Sequence, residues 1–310
     1  MFFLFGRCFT EVSSSFVYLG NLFNRADLKR FADFKKQKPK MQIGLTLSEF
    51  NGKKPSELLA LVRQFGVGFV EFNPTVFGDL PNVIPHMTDV ASGFHLPLLS
   101  EHGYDFTQFD AKEKIDEAIF LLNQHRLDLN LLYCVAHPPE PKNEDDSIEE
   151  ALEFLLENLV RLEMPIILEN VETWNKNDFD RLAKVFRAEL KKQNIGLCFD
   201  PAHAFLRGEN IFERYTEIAP YVRCIHLSDC AKGHDAHLPL GQGEMPIANF
   251  LKHVAKSGYD GIINLEVLPN SLREIKAVVS SYLQVLRVFK KAKFLSTATK
   301  LIFSKPKLAH

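Results

Sequence analysis

Cysteine is scarce, with five in 310 residues, and none is spaced as Cys-x-x-Cys. That excludes a disulfide framework and the common thiolate zinc motifs. Cys134, Cys198 and Cys224 sit inside apolar runs and read as small core residues in a reducing cytoplasm, which is the expected compartment. No run of about 18 uninterrupted apolar residues occurs, so no membrane span is expected. The apolar start MFFLFGRCF is broken by Arg7 and lacks an A-x-A-like cleavage site, so it does not read as a signal peptide. The segment TLSEFNGKK at 46–54 supplies no Gly-rich phosphate turn, which argues against an open dinucleotide-binding sheet. A basic stripe is also missing from the body of the chain. Residues 1–40 carry eight Lys/Arg against three Asp/Glu, and residues 290–310 carry six Lys and no acid. Subtracting both from the total of −2 leaves about −13 on residues 41–289. An acidic body suits cations better than a nucleic-acid backbone.

What the chain has is an alternation. Apolar runs occur at 42–47, 68–73, 91–98, 129–137, 165–171, 194–200, 222–229 and 261–267. Helical patterns separate them. One follows Pro55, from Ser56 to Phe65. Another opens at Ser147, with Glu150 placed for a capping box, and runs to Arg161. Asp178 is expected to open a third, through Leu190. Pro246 starts a fourth, to His253, and Leu272 to Phe289 is expected to be the last. Strands that are continuous in apolar residues imply a parallel sheet covered on its outer face. Eight of them, each followed by a helix, predict a closed (β/α)₈ barrel, a TIM barrel, in a single domain from Met41 to Phe289. Residues 1–40, with a basic helical pattern at 25–40 stopped by Pro39, read as an appendage or an over-extended reading frame. Residues 290–310 read as a basic tail.

The polar residues of the runs cluster at their C-terminal ends, the face on which such barrels carry their sites. In order they are His95, His137, Glu169, Asp200 with His203, His226 with Asp229, and Glu266. Asp235 and His237 follow in an extended loop. A single strand-end His is usually a satisfied structural residue. Glu169 differs, because the PIIL before it would leave a lone carboxylate buried at high cost, and Glu266 after GIINL poses the same problem. A shared cation resolves both. Imidazole and carboxylate without thiolate suit a divalent metal: Zn, Mn, Fe, Co or Mg.

The strings ILEN, CFDPAH, HLSD, DAHLPLGQGE and NLEV resemble the xylose isomerase-like TIM barrels, over about residues 41–289. That group includes sugar isomerases and epimerases as well as endonuclease IV. The resemblance implies a single-metal set of Glu169, Asp200, His226 and Glu266. The trinuclear zinc site of endonuclease IV would add His95, His137, His203, Asp235 and His237, and all nine positions are filled. The loop HLPLLSEHGYDF departs from the repair enzymes. The first expectation is therefore an isomerase or epimerase of a sugar or sugar phosphate. Glu169 and Glu266 would exchange a proton, His203 would orient a substrate oxygen, and Lys232 and Gln242 would bind hydroxyls or phosphate. The alternative is an endonuclease IV-like phosphoesterase with several ions, and a third reading is a barrel that binds without turnover. The expected partner is a small sugar or sugar phosphate rather than nucleic acid or membrane, and association between copies stays open.

Overall fold

Each apolar run becomes a strand buried on both faces. The computed structural model describes residues 41–140, 147–190, 195–231, 233–267 and 275–303. In chain order the strands are β1 (Gln42–Leu47), β2 (Phe69–Phe72), β3 (Ala91–His95), β4 (Leu131–Ala136), β5 (Ile166–Glu169), β6 (Gly196–Phe199), β7 (Val222–Leu227), β8 (Asp229–Ala231), β9 (His234–Leu238) and β10 (Ile262–Leu265). All but β8 and β9 close into one parallel barrel, in the order β1–β10–β7–β6–β5–β4–β3–β2. The expected TIM barrel is thus the observed one, and the strands are shorter than the apolar runs.

Strand pleat sorts the residues into two cores. One set packs outward against the helices. The other, Phe69, Tyr133, Val135, Ile167, Cys198, Cys224 and Ile262, fills the lumen. Side chains repeat every two residues along a strand, so the next lumen positions are Glu71, His137, Glu169, Asp200, His226 and Asn264. An apolar floor below therefore forces a polar layer above it, at the C-terminal rim. The four cysteines among the described residues, Cys134, Cys198, Cys224 and Cys230, are buried and unpaired.

The helices confirm most of the expected starts. Helix α1 (Pro55–Gln64) begins on Pro55. Helix α2 (Lys112–His125) follows β3 and buries Ile115, Ala118, Ile119 and Leu122. Ser147 caps α3 (Ile148–Leu159), its hydroxyl accepting the Glu150 N–H at 3.2 Å. For α4 (Lys176–Glu189), Asn175 rather than Asp178 is the cap, accepting the N–H groups of Asn177 and Asp178. Asp200 caps α5 (Pro201–Leu206), and Asn210 caps α6 (Ile211–Ile218). Helix α7 (Ile247–Lys256) follows Pro246 as expected, and α8 (Ile275–Phe289) precedes one further helix, α9 (Lys291–Phe303). Of residues 290–310, expected as a basic tail, 291–303 form α9 and 304–310 lie outside the described residues. Thr297 of α9 is buried and donates to the Phe65 carbonyl, Lys290 donates to the Met41 carbonyl, and Lys293 lies over the Tyr282 ring. Those contacts lie at the N-terminal end of the barrel, away from the polar rim. Residues 1–40, with the helix expected in them, lie outside the described residues. Among the described residues no helix is long and apolar enough to cross a membrane.

Gly44 shows how tightly the lumen closes. A β-carbon there would come within 2.5 Å of the Phe69 carbonyl oxygen, which is backbone and cannot rotate away. Gly44→Ala is expected to destabilise the barrel by about 1–3 kcal/mol through overpacking. Denaturant unfolding measures it, and an unchanged midpoint would show that β1 and β2 are further apart than described.

Candidate metal centre

Glu169 ends β5 and is 1 % exposed. Four histidines surround its carboxylate. His137 Nε2 lies 3.2 Å from Oε2, His95 Nε2 3.4 Å and His226 Nδ1 3.1 Å, while His203 Nδ1 is 3.7 Å from Oε1. His226 Nδ1 is also 3.2 Å from Glu266 Oε2. On the far side Asp235 Oδ2 lies 3.1 Å from His203 Nε2 and 3.3 Å from His237 Nε2. All nine residues proposed from the sequence as ligands therefore converge on one rim.

Local structure fixes several of them. Asp200 Oδ1 accepts the N–H groups of Ala202 and His203, so the turn into α5 orients both donors of the DPAH string. Asn170 clamps the Asp200 backbone with two hydrogen bonds of 2.8 and 2.9 Å. The Asn170 carbonyl meets His203 Nδ1 at 2.7 Å, leaving Nε2 turned toward Asp235. The loop expected after β7 is an antiparallel hairpin of β8 and β9. His237 sits in it at φ 43°, a left-handed conformation uncommon for a non-glycine residue.

The electrostatics follow from crowding charge out of water. Burial opposes ionisation of Glu169, but His226 and the other imidazoles hold its pKa well below the usual range. Burial likewise opposes ionisation of Glu266, and the charge of His226 brings it down to about 2. Burial pushes Asp200 up to about 6, against the pull of His203. Burial would lower His95, yet its contacts with Glu169 raise it to about 9. In the chain alone, protons on the imidazoles balance the carboxylates. A divalent cation is the alternative counter-charge.

The donor atoms fit one. Asp200 Oδ2, His226 Nδ1, Asp235 Oδ1 and His237 Nδ1 are buried without a hydrogen-bond partner. His226 Nδ1 is near two carboxylate oxygens yet aligned for a hydrogen bond to neither. Buried polar atoms are nearly always paired, so four orphans within one ring point to a ligand that accepts lone pairs. Among the described residues four donor triads meet the spacing of an ion site: His95–His137–Glu169, His95–His226–Glu266 and Glu169–Asp200–His203 on the rim, and Cys198–Cys224–His226, which reaches down to the thiols of the floor.

Three residues fall elsewhere. Asp229, read with His226 at the strand end, is an anchor: its carboxylate accepts the N–H groups of Cys230, Gly241 and Met245. Gly243 packs so close to that carboxylate that a β-carbon would collide with it. Gln242, on the same turn, is exposed and is not among the residues lining the cavity. Lys232 lies outside the described residues. The sequence reading missed Glu71, which is fully buried in β2, with Oε1 3.1 Å from His226 Nε2. Its signal was available, since GFVEFN places a lone carboxylate in an apolar run just as PIILEN does. A cavity of about 430 Å³ opens above the ring. Thr46, Ser48, Asn73, Thr107 and Thr173 contribute to its wall, and no Lys or Arg among the described residues lines it.

The profile described as xylose isomerase-like TIM barrel matches residues 59–287. The chain belongs to that family. Within curated xylose isomerase-like and related proteins, it is 31 % identical over 113 residues to apurinic-apyrimidinic endonuclease 1 of Plasmodium falciparum (isolate 3D7), covering 30 % of this chain and 19 % of that protein. It is 26 % identical over 109 residues to the ketose 3-epimerase of Arthrobacter globiformis, covering 34 % and 36 %. The matches thus span about a fifth to a third of those relatives' own lengths. A solved xylose isomerase domain protein from Alicyclobacillus acidocaldarius subsp. acidocaldarius superposes with a TM-score of 0.59 at 18 % identity, over 84 % of this chain and 99 % of that one. Members of the family include epimerases and endonucleases, so this xylose isomerase-like barrel is placed among enzymes without its reaction being fixed.

Two expectations test the centre. Asp229→Ala should lower stability by about 1–3 kcal/mol by orphaning buried N–H groups while leaving the number of bound ions unchanged. A lost ion would make Asp229 a ligand instead of an anchor. The second concerns protons. His95 keeps its proton until pH about 9, so at about pH 7 an incoming ion must displace it. Zinc titration by calorimetry in buffers of different ionisation enthalpy should show proton release near pH 7 that shrinks toward about pH 10. Equal release at both would contradict the described contact between His95 and Glu169.

Proposed function

We propose that this chain is a metal-dependent phosphoesterase that holds more than one divalent ion, zinc by preference of its donors, and acts on a phosphate ester of a sugar. One observation carries the reading: the rim gathers more donors than one ion takes, about four to six. Glu169 is the residue these donors have in common: His95, His137 and His226 approach its Oε2, His203 approaches its Oε1, and Glu266 shares His226 with it. Asp235 gathers His203 and His237 into a third group. When bound, such ions would supply Lewis acidity toward a phosphoryl group and a water acidified to near neutrality.

The chain's own residues set the rest. The absence of Lys and Arg from the described cavity wall leaves a phosphate to be held by the centre itself. The hydroxyls and amide of Thr46, Ser48, Asn73, Thr107 and Thr173 suit sugar hydroxyls. A duplex would need a cationic track for its backbone, and the body's charge of about −13 opposes one. The relative named as an endonuclease supports the phosphoester class, and the cavity favours a small ester.

The sequence put proton transfer first, and a specific feature still favours it as a second reading. Glu169 and Glu266 approach the same nitrogen, His226 Nδ1, at 3.1 and 3.2 Å from β5 and the end of β10. Two carboxylates so placed can take a proton from one face of a carbon and return it to the other. The relative named ketose 3-epimerase fits that use.

Metal analysis with assays on sugar phosphates, ketoses and abasic DNA separates the readings. The expected outcome is more than one ion per chain and release of phosphate from a sugar ester. In His137→Ala one ion should go, and hydrolysis should fall by more than ~10²-fold, beyond the usual loss for an outer-shell partner. One ion per chain with ketose epimerisation would establish the second reading, and cleavage of abasic DNA would overturn the small substrate.

A further inference from the structure

Glu71 is a fully buried carboxylate with no Lys or Arg among its hydrogen-bond partners. Such a group is costly unless donors satisfy it. It has three, each from a different strand. Tyr133 of β4 donates its hydroxyl to Oε2 at 2.7 Å. Asn264 of β10 donates to Oε1 at 3.3 Å, and its amide also reaches Thr46 Oγ1 of β1 at 2.8 Å. The third is His226 of β7, whose Nε2 lies 3.1 Å from Oε1 and 3.3 Å from Oε2. Glu71 is therefore the hub of a polar network in the lumen whose boundary with the donor ring is His226.

The imidazole of His226 has one nitrogen on each side of this boundary. Both oxygens of Glu71 act as acceptors, Oε2 from the Tyr133 hydroxyl and Oε1 from the Asn264 amide, so the nitrogen facing them carries hydrogen. In the neutral ring the other nitrogen then holds the lone pair. That nitrogen is Nδ1, the orphan atom 3.1 Å from Glu169 and 3.2 Å from Glu266. Without Glu71 the ring would keep on the lumen side only the floor thiols of Cys198 and Cys224, weak hydrogen-bonding groups that fix the hydrogen on Nε2 less firmly.

We propose that Glu71 is the positioning residue of the centre: it holds His226 by Nε2–H so that the Nδ1 lone pair faces the shared rim with Glu169 and Glu266. Tyr133 and Asn264 serve Glu71 in turn, by filling its remaining acceptor sites and stopping it from rotating away. The inference rests on the reading of the ring as a metal site, and it adds a contact on the lumen side that none of the nine rim residues supplies.

Cobalt titration followed by visible absorption tests it. Wild type should bind Co²⁺ with ligand-field bands, and Glu71→Gln should bind about 10- to 100-fold more weakly with altered bands. Glu71→Asp, which keeps the charge, should recover part of that affinity. Unchanged affinity and bands in Glu71→Gln would overturn the proposal and leave Glu71 a purely structural network member. If wild type binds no Co²⁺ at all, the metal reading itself fails, which is a separate result. ¹⁵N NMR of the zinc-loaded wild type needs no variant, and so covers a Glu71→Gln chain that does not fold. Nδ1 should carry the metal-bound shift and Nε2 its hydrogen. Metal on Nε2 would refute the assignment.

Discussion

The carboxylate of Glu169 has to be neutralised where it stands, and the rest of the rim is arranged around that requirement. It ends a strand whose other residues are all buried and apolar, so it cannot retreat into water. Four imidazoles close on it from β3, the end of β4, the start of α5 and β7. Three of these, His95, His203 and His226, are themselves buried, and two have a further acid: His203 has Asp235, and His226 has Glu266 and Glu71. The result is a closed set of buried charges in which breaking one pair leaves another uncompensated, which is the costly case for buried ions. A cation satisfies the set with fewer protons and uses the lone pairs left without partners.

Barrel geometry makes this crowding possible. Period-two pleat along parallel strands stacks side chains in layers. Val135 leads to His137, Ile167 to Glu169, Cys198 to Asp200 and Cys224 to His226, one step each from floor to rim. The floor is close-packed, with Gly44 and Gly93 admitting Phe69 and the Tyr133 ring where a β-carbon would collide. The rim donors therefore stand on a layer that cannot yield, and the backbone rather than flexible loops sets their spacing. The exceptions are Asp235 and His237, which come from the β8–β9 hairpin. That hairpin is tied down by Asp229, whose three backbone partners reach from Cys230 to Met245.

The sequence revealed the barrel because its strands are buried on both faces, leaving continuous apolar runs and a polar residue only where each run meets the rim. That same rule pointed to seven of the nine candidate donors, and Asp235 and His237 came from the loop after the seventh run. It failed where the signal was not positional. Glu71 lies within β2 instead of at its end, so a rule that looks for polar residues at strand ends passes it over. Asp229 has the type and place of a ligand, and only the loop folding back from Gly241 to Met245 shows what it accepts. The hairpin was hidden because DCAKGHDAHL mixes charge and small residues without strand periodicity. Helix α9 was hidden by its lysines, although Phe294 and Thr297 are spaced to face the barrel. Asn175 was passed over for Asp178 because both are good caps, and the backbone settles which one has the free N–H groups.

The choice between chemistries turns on residues that differ in origin from the shared core. Glu169, Asp200, His226 and Glu266 come from consecutive barrel strands and suffice for one ion, and the two glutamates alone would serve proton transfer. His95, His137, Asp235 and His237 are what proton transfer does not require. If they served only to contact a sugar, neutral hydroxyls and amides such as those of Thr46, Ser48 and Asn73, which line the same cavity, would do so at lower electrostatic cost. Holding additional imidazoles and a carboxylate half-buried, with Asp235 Oδ1 and His237 Nδ1 unpaired and His237 in a left-handed backbone conformation, is unfavourable without a compensating ligand. That cost is what weighs the structure toward several ions and toward the hydrolysis of a phosphoester, whose charge such a centre is suited to hold.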